Sequence, residues 1–206
     1  MTRKILIKLF PKIGLQLIYH KSYGKFANIR NPKDLYEKLI WLNFNNPDKR
    51  RTLLADKVLV RDHLKKKGFG NYLNEIYGIY NNPDEIKFGE LPAEYMLKCN
   101  HGANYNIHCS NPDETMRKNI KDQLRKWIRE DYSLLYAELH YRNIKRKIIC
   151  EKYIGRDIKD YKVYCFNGEP TYVMVCTNRG NGHPDYFFYT FDWEYLDLLY
   201  YHYPNP

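Results

Sequence analysis

The sequence predicts an α+β fold: N-terminal helices, then a small α+β lobe, then a mostly antiparallel sheet. Three observations carry this expectation. Apolar residues recur at helical spacing over 35–42, 58–64 and 116–128. Short apolar runs bounded by Gly, Asn and Pro lie at 76–80, 95–99 and 147–153. An Asn167-Gly168 pair stands between two further runs, which is a hairpin signal.

Taken in order, the segment Met1 to Tyr23 mixes Lys and Arg with Ile5, Leu6, Ile7, Leu9, Phe10, Leu15, Leu17 and Ile18. It has no clean apolar stretch or small-residue cleavage site of the signal-peptide kind. Two readings stand side by side: a helix kinked at Pro11 and packed on the body, or a basic amphipathic helix resting on an anionic membrane. Asn31-Pro32 is expected to open a helix running to about Asn43. A second helix starts near Asp56 and ends at Lys65-Lys66-Lys67 before Gly68 and Gly70, where cations suit the helix dipole. The strand at 76–80 is followed by a turn at Asn81-Asn82-Pro83-Asp84. Tyr95–Cys99 and a strand near Ile107 flank the loop Asn100-His101-Gly102-Ala103-Asn104. The longest helix spans roughly Pro112 to Asp131, and its charged faces are solvated. From Lys147 onward the chain reads as strands: 147–153, 161–166, 171–176 and 186–191. No internal repeat or linker interrupts it. The expected organisation is an N-terminal helical region over 1–55, a first lobe over 56–145 and a second lobe over 146–206.

Composition narrows the function. Hydrophobic residues make up 44% of 206, enough for a packed core. The formal charge of +10 points to an anionic partner without choosing among nucleotide, nucleic acid, acidic polymer and membrane surface. Five scattered cysteines fit a reducing cytosol rather than a disulfide scaffold. No run of about 18 apolar residues is present. G-x-S-x-G, Walker A, H-E-x-x-H and D-x-D motifs are absent.

Five constellations could carry chemistry. Lys98 ends a buried strand, and Gly102 lets the following turn bring backbone N–H groups to an anion; the bland alternative is a lysine with its amine in solvent. Asp56-Lys57 stands at a helix start, where Lys57 could reach a phosphate or Asp56 could simply cap. Ile148–Gly155, with Asp160 and Lys162 beyond, suits a nucleotide hinge: its backbone would read adenine and a carboxylate would hold ribose hydroxyls. A core strand with a polar end fits equally well. Cys99, His101, His108 and Cys109 are zinc-ligand types but lack ligand spacing. Thr177–His183 is a polar loop in which Arg179 could clamp a carboxylate or phosphate.

In their order, these segments resemble the TupA-like ATP-grasp proteins of bacterial surface-polysaccharide (teichuronopeptide) gene clusters. The resemblance rests on Asn31–Leu42, Leu54–Arg61, Leu97–Gly102, Ile149–Tyr153, Asp160–Gly168 and the strand closing on Phe191-Asp192-Trp193. It covers nearly the whole chain. It implies an ATP-grasp-like fold gripping ATP and Mg²⁺ between two lobes. It also implies a cytoplasmic ligase that phosphorylates a carboxylate and lets an amine displace phosphate from the acylphosphate. In a polysaccharide pathway, the acceptor it implies is a uronic acid carboxylate. By resemblance, Lys57, Lys98, His101, Gly102, Glu151, Lys152, Tyr153, Asp160 and Lys162 bind the nucleotide. Lys98 and Arg179 act on the chemistry, and the metal ligands stay unassigned. The family's closing strand pair with its acidic metal ligands has no counterpart before Pro206, so a C-terminally truncated, incomplete second sheet is expected. Two other functions compete. A glycosyltransferase of the same pathway is the alternative enzyme, weakened by the missing D-x-D. A nucleic-acid or anionic-polymer module fits the charge, but no RNA-binding motif is present. Peripheral contact with the inner membrane face goes with the basic N-terminus.

Overall fold

The structure is a computed structural model that describes residues 3–46, 48–179 and 184–198. Helix starts follow local capping chemistry. α1 (Arg3–Leu9) and α2 (Pro11–Tyr23) break where Pro11 enters the second helix at its first turn. The next helix begins later than Asn31-Pro32 predicts. Asp34 accepts from the Glu37 N–H, and Glu37 reaches back to the Asp34 N–H at 3.4 Å, so this capping box starts α3 (Leu35–Asn45). Asp48 caps α4 (Lys49–Ala55), which the apolar pattern does not announce because none of its residues is buried. α5 (Leu59–Lys66) and α6 (Glu114–Arg129, capped by Asp113) lie inside their expected spans, and α7 (Ser133–Tyr136) is one short turn.

The chain divides into two compact units, Met1–Tyr153 and Ile154–Pro206. In the first, β1 (Ile76–Tyr80), β2 (Glu94–Cys99), β3 (Asn106–Ser110) and β4 (Ile148–Lys152) form an antiparallel sheet in the order β1-β4-β2-β3. The division therefore falls after 153, not after 145. β4 is hydrogen-bonded to β1 on one side and β2 on the other, so it belongs to the first sheet. Residues 1–55 lie in the same unit. One sheet face packs Leu97, Cys99, Ile148 and Cys150 with Ile120 and Leu124 of α6 into a core. A second cluster joins Ile7, Leu15, Tyr19, Ala27 and Ile40 to Ala137.

The second unit is an antiparallel meander of β5 (Asp160–Phe166), β6 (Glu169–Thr177), β7 (Asp185–Thr190) and β8 (Tyr195–Leu196). Its first turn has Asn167 at φ 54° and Gly168 at φ 89°, the left-handed pair that a two-residue hairpin requires. Residues 180–183 of the polar loop, and residues 199–206, lie outside the described residues.

Candidate functional site

Strand alternation places Lys98. In β2, Tyr95, Leu97 and Cys99 are buried in the core, so Glu94, Met96 and Lys98 face the other way. Lys98 sits opposite Ile149 of β4, and its Nζ reaches diagonally to the Glu151 carboxylate two residues on. The Glu151 side chain keeps 13% of its surface and that of Lys98 31%, so the pair is half-buried at the sheet end. His108 lies on the same side of β3, bonded to Glu94 at 2.9 Å and stacked on Tyr153 with ring centroids 3.9 Å apart.

Lys57 arrives from the helical side. Asp56 caps the turn into α5 by accepting from Val58 N–H at 2.8 Å. Its carboxylate also receives the Asn100 amide at 2.9 Å. Asn100, fully buried, further donates to the Lys145 carbonyl and accepts from the Lys147 N–H at 2.7 Å. This bridge fastens the α4–α5 turn to the loop after β2. With the backbone so held, the Lys57 ammonium donates to the Gly102 carbonyl. Burial, and then the positive charge of Lys98, holds the Lys57 pKa below the ordinary lysine value of 10.5. Two lysines thus meet electrostatically beside the loop at 100–104. Among the described residues, the N–H groups of Gly102, Ala103 and Asn104 have no acceptor within the chain. Two cations beside a turn with unpaired N–H groups are the elements that a candidate anion site needs.

Gly102 is required for a different reason than the sequence suggested. Its φ is not left-handed; a Cβ there would stand 2.5 Å from the Tyr132 ring and 3.0 Å from that of Tyr105. Close packing of the turn on these rings sets the position of the carbonyl that Lys57 meets. Gly102→Ala is expected to cost about 2 kcal/mol, as overpacking does. Urea unfolding checks this, and an unchanged midpoint would show that the rings yield freely.

The other predicted residues divide. His101 is buried, its Nε2 bonded to the Trp127 carbonyl at 3.0 Å, and burial keeps its pKa below 6.5; it faces the core, not the loop's open side. The Lys152 backbone is used up in the sheet, donating to Glu75 and accepting from Asn74. Both backbone groups of Lys152, expected to read adenine, thus already have partners within the chain. Asp160, Lys162 and Arg179 form a cluster of their own in the second unit, both cations bonded to the Asp160 carboxylate. Cys99 and Cys109 lie in the core, where burial pushes their thiols up to about 12 and about 11, far from thiolate metal ligands. Among the described residues no group of three or more His, Cys, Asp or Glu side chains is placed to hold a metal ion.

Sequence reasoning overlooked two features. Asn100 gave only the weak signal of a polar residue directly after an apolar strand. In the second unit a groove of about 450 Å³ is lined by Lys159, Tyr161, Phe187, Tyr189 and Trp193, none of them predicted. Phe187 and Tyr189 alternate along β7 and read simply as sheet core, while Trp193 comes from the turn after that strand.

An antiparallel sheet with Lys98 at the end of β2, and Lys57 brought in from between α4 and α5 beside the loop at 100–104, defines an α+β protein with a candidate anion site. The model of the family described as TupA-like ATPgrasp matches residues 37–205, and the chain belongs to that family. Membership points, at the coarse level, to an ATP-dependent ligase; ATP-grasp proteins generally use ATP and Mg²⁺. No curated protein and no solved structure matches the chain.

Proposed function

We propose that the chain is an ATP-dependent carboxylate–amine ligase of bacterial surface-polysaccharide synthesis. The convergence of Lys57 and Lys98 beside the open N–H groups of the 102–104 turn carries this reading. In this reading the turn and Lys57 hold the β- and γ-phosphates, and Lys98, steadied by Glu151, neutralises charge on the phosphoryl group in flight. The substrate carboxylate attacks the γ-phosphorus and ADP leaves. The amine then attacks the acyl carbon and expels phosphate, leaving an amide. A uronic acid is the acceptor that the family setting favours. Mg²⁺ would supply charge neutralisation as the nucleotide's counter-ion; none of the described carboxylate groups is assigned to it. In the second unit, Asp160 is proposed to meet ribose and Arg179 the acceptor carboxylate, with Lys162 completing their ion cluster.

Incubation with Mg·ATP, a panel of uronic acids and hydroxylamine tests the scheme. The expected product is a hydroxamate formed together with ADP, and only when a carboxylate is present. Sugar transfer from a UDP-sugar without ATP would favour the glycosyltransferase instead and overturn the proposal.

The lysine pair adds a pH signature. An anion binds the protonated form of Lys57, so nucleotide affinity should fall as alkaline pH rises through the depressed Lys57 pKa, before free lysine titrates at 10.5. For the free protein the sign is opposite: the unfolded chain holds this proton longer, so burial of Lys57 costs least at high pH. Lys57→Arg, which stays charged, should flatten the affinity profile; calorimetric titration across alkaline pH reads it. An equally steep fall in the arginine variant would place the titrating group elsewhere.

A further inference from the structure

The first 33 residues hold eight lysines and arginines and no aspartate or glutamate, so they supply +8 of the chain's +10. The remaining residues are close to neutral. This charge coincides with apolar surface that the fold does not use. In α1 and α2 the residues Ile7, Leu15 and Tyr19 turn into the core. Ile5 and Leu9, one helical turn apart, and Ile13 and Leu17, likewise one turn apart, stay 46–60% exposed, as does Phe10 at the break between the helices. Lys8, Lys12 and Lys21 are exposed on the same two helices. Beside them a groove of about 400 Å³ is lined by Lys12, Arg30, Trp41 and Phe44. No helix among the described residues is long and apolar enough to cross a membrane. Residues before 37 also lie outside the span that the family model matches.

We propose that α1 and α2 form a docking surface for an anionic lipid bilayer. Exposed Leu, Ile and Phe side chains enter the boundary between headgroups and acyl chains, while the surrounding lysines meet lipid phosphates. The concentration of charge in one acid-free segment selects this occupant. A second copy of this chain would bring +8 against +8, and an apolar protein partner would leave the lysines unanswered. Nucleic acid would answer the charge but not the apolar rows.

Sedimentation of the full chain with vesicles tests this. Binding to phosphatidylcholine vesicles containing about 30% phosphatidylglycerol should exceed binding to pure phosphatidylcholine by at least about tenfold, and should weaken with salt. The triple variant Leu9→Ser/Ile13→Ser/Leu17→Ser should lose on the order of tenfold or more in vesicle binding. Its circular-dichroism melt should match wild type, since all three side chains are exposed. Lys8→Gln/Lys12→Gln/Lys21→Gln should lose a similar factor and keep the fold should the serine variant fail to do so. Equal binding to both vesicle types, or none to either, would overturn the proposal. So would vesicle binding unchanged in the lysine variant, or unchanged in a folded serine variant. Retention on duplex DNA at the affinity seen for the vesicles, untouched by the serine substitutions, would assign the surface to nucleic acid and equally overturn it.

Discussion

Lys98→Ala should weaken Mg·ATP binding by on the order of 100-fold and erase the thermal shift that the nucleotide gives the wild-type protein. The loss should exceed that from Lys57, for three reasons. Lys98 is fixed by its strand position and by Glu151, so it presents a positioned charge without further ordering. The Lys57 charge, by contrast, is already disfavoured by burial. Removing Lys98 also leaves the Glu151 carboxylate, mostly shielded from water, beside the proposed phosphate position. Repulsion is thereby added to the lost attraction. The free protein should lose only about 1 kcal/mol, since Lys98 is about one-third exposed and water screens the broken pair. The double variant Lys98→Ala/Glu151→Ala separates the two effects: stability should return while nucleotide binding stays weak. Calorimetry that finds wild-type affinity in Lys98→Ala would remove this lysine from the site and leave the ligase proposal without its central group.

Much of this arrangement was legible in the residues, and the illegible part has physical causes. The strands at 76–80, 95–99 and 148–152 and the hairpin at 167–168 announce themselves because buried apolar runs end in turn residues. Lys57 and Lys98 stand out as candidates because each sits at a recognisable element end, whereas the role given to Glu151 comes from the family resemblance. α4 could not be, since all its residues keep contact with water and no apolar stripe forms. The placement of β4 was hidden because strand pairing depends on contacts across some fifty residues, and local pattern carries no record of the partner. His101 shows the same limit at one residue: its spacing from Lys98 is fixed by sequence, but the side to which its ring turns is set by Tyr105 and the Trp127 carbonyl.

Asn100→Ala should be the most destabilising single change in the first unit, by about 3–4 kcal/mol, or about 10 °C in melting temperature. The side chain is fully buried and makes three hydrogen bonds to segments more than forty residues away on either side. Alanine leaves the Lys147 N–H and the Lys145 carbonyl without their side-chain partner, and takes a donor from the buried Asp56 carboxylate. Nucleotide binding should weaken as well, by about tenfold, because the Lys57 backbone N–H rests on the Asn100 carbonyl and the Asp56 cap sets its approach. Asn100→Asp sharpens the test. It is nearly isosteric and keeps an acceptor for Lys147, yet it loses both donors and sets a second carboxylate against Asp56. If donation to Asp56 and Lys145 is what joins these segments, the aspartate variant must be no more stable than alanine near neutral pH. It should also recover stability as the pH falls and one of the two carboxylates takes up a proton to restore a donor between them. An aspartate variant as stable as wild type near neutral pH would mean that shape alone holds the loop, and that Lys57 owes its position to packing rather than to this bridge.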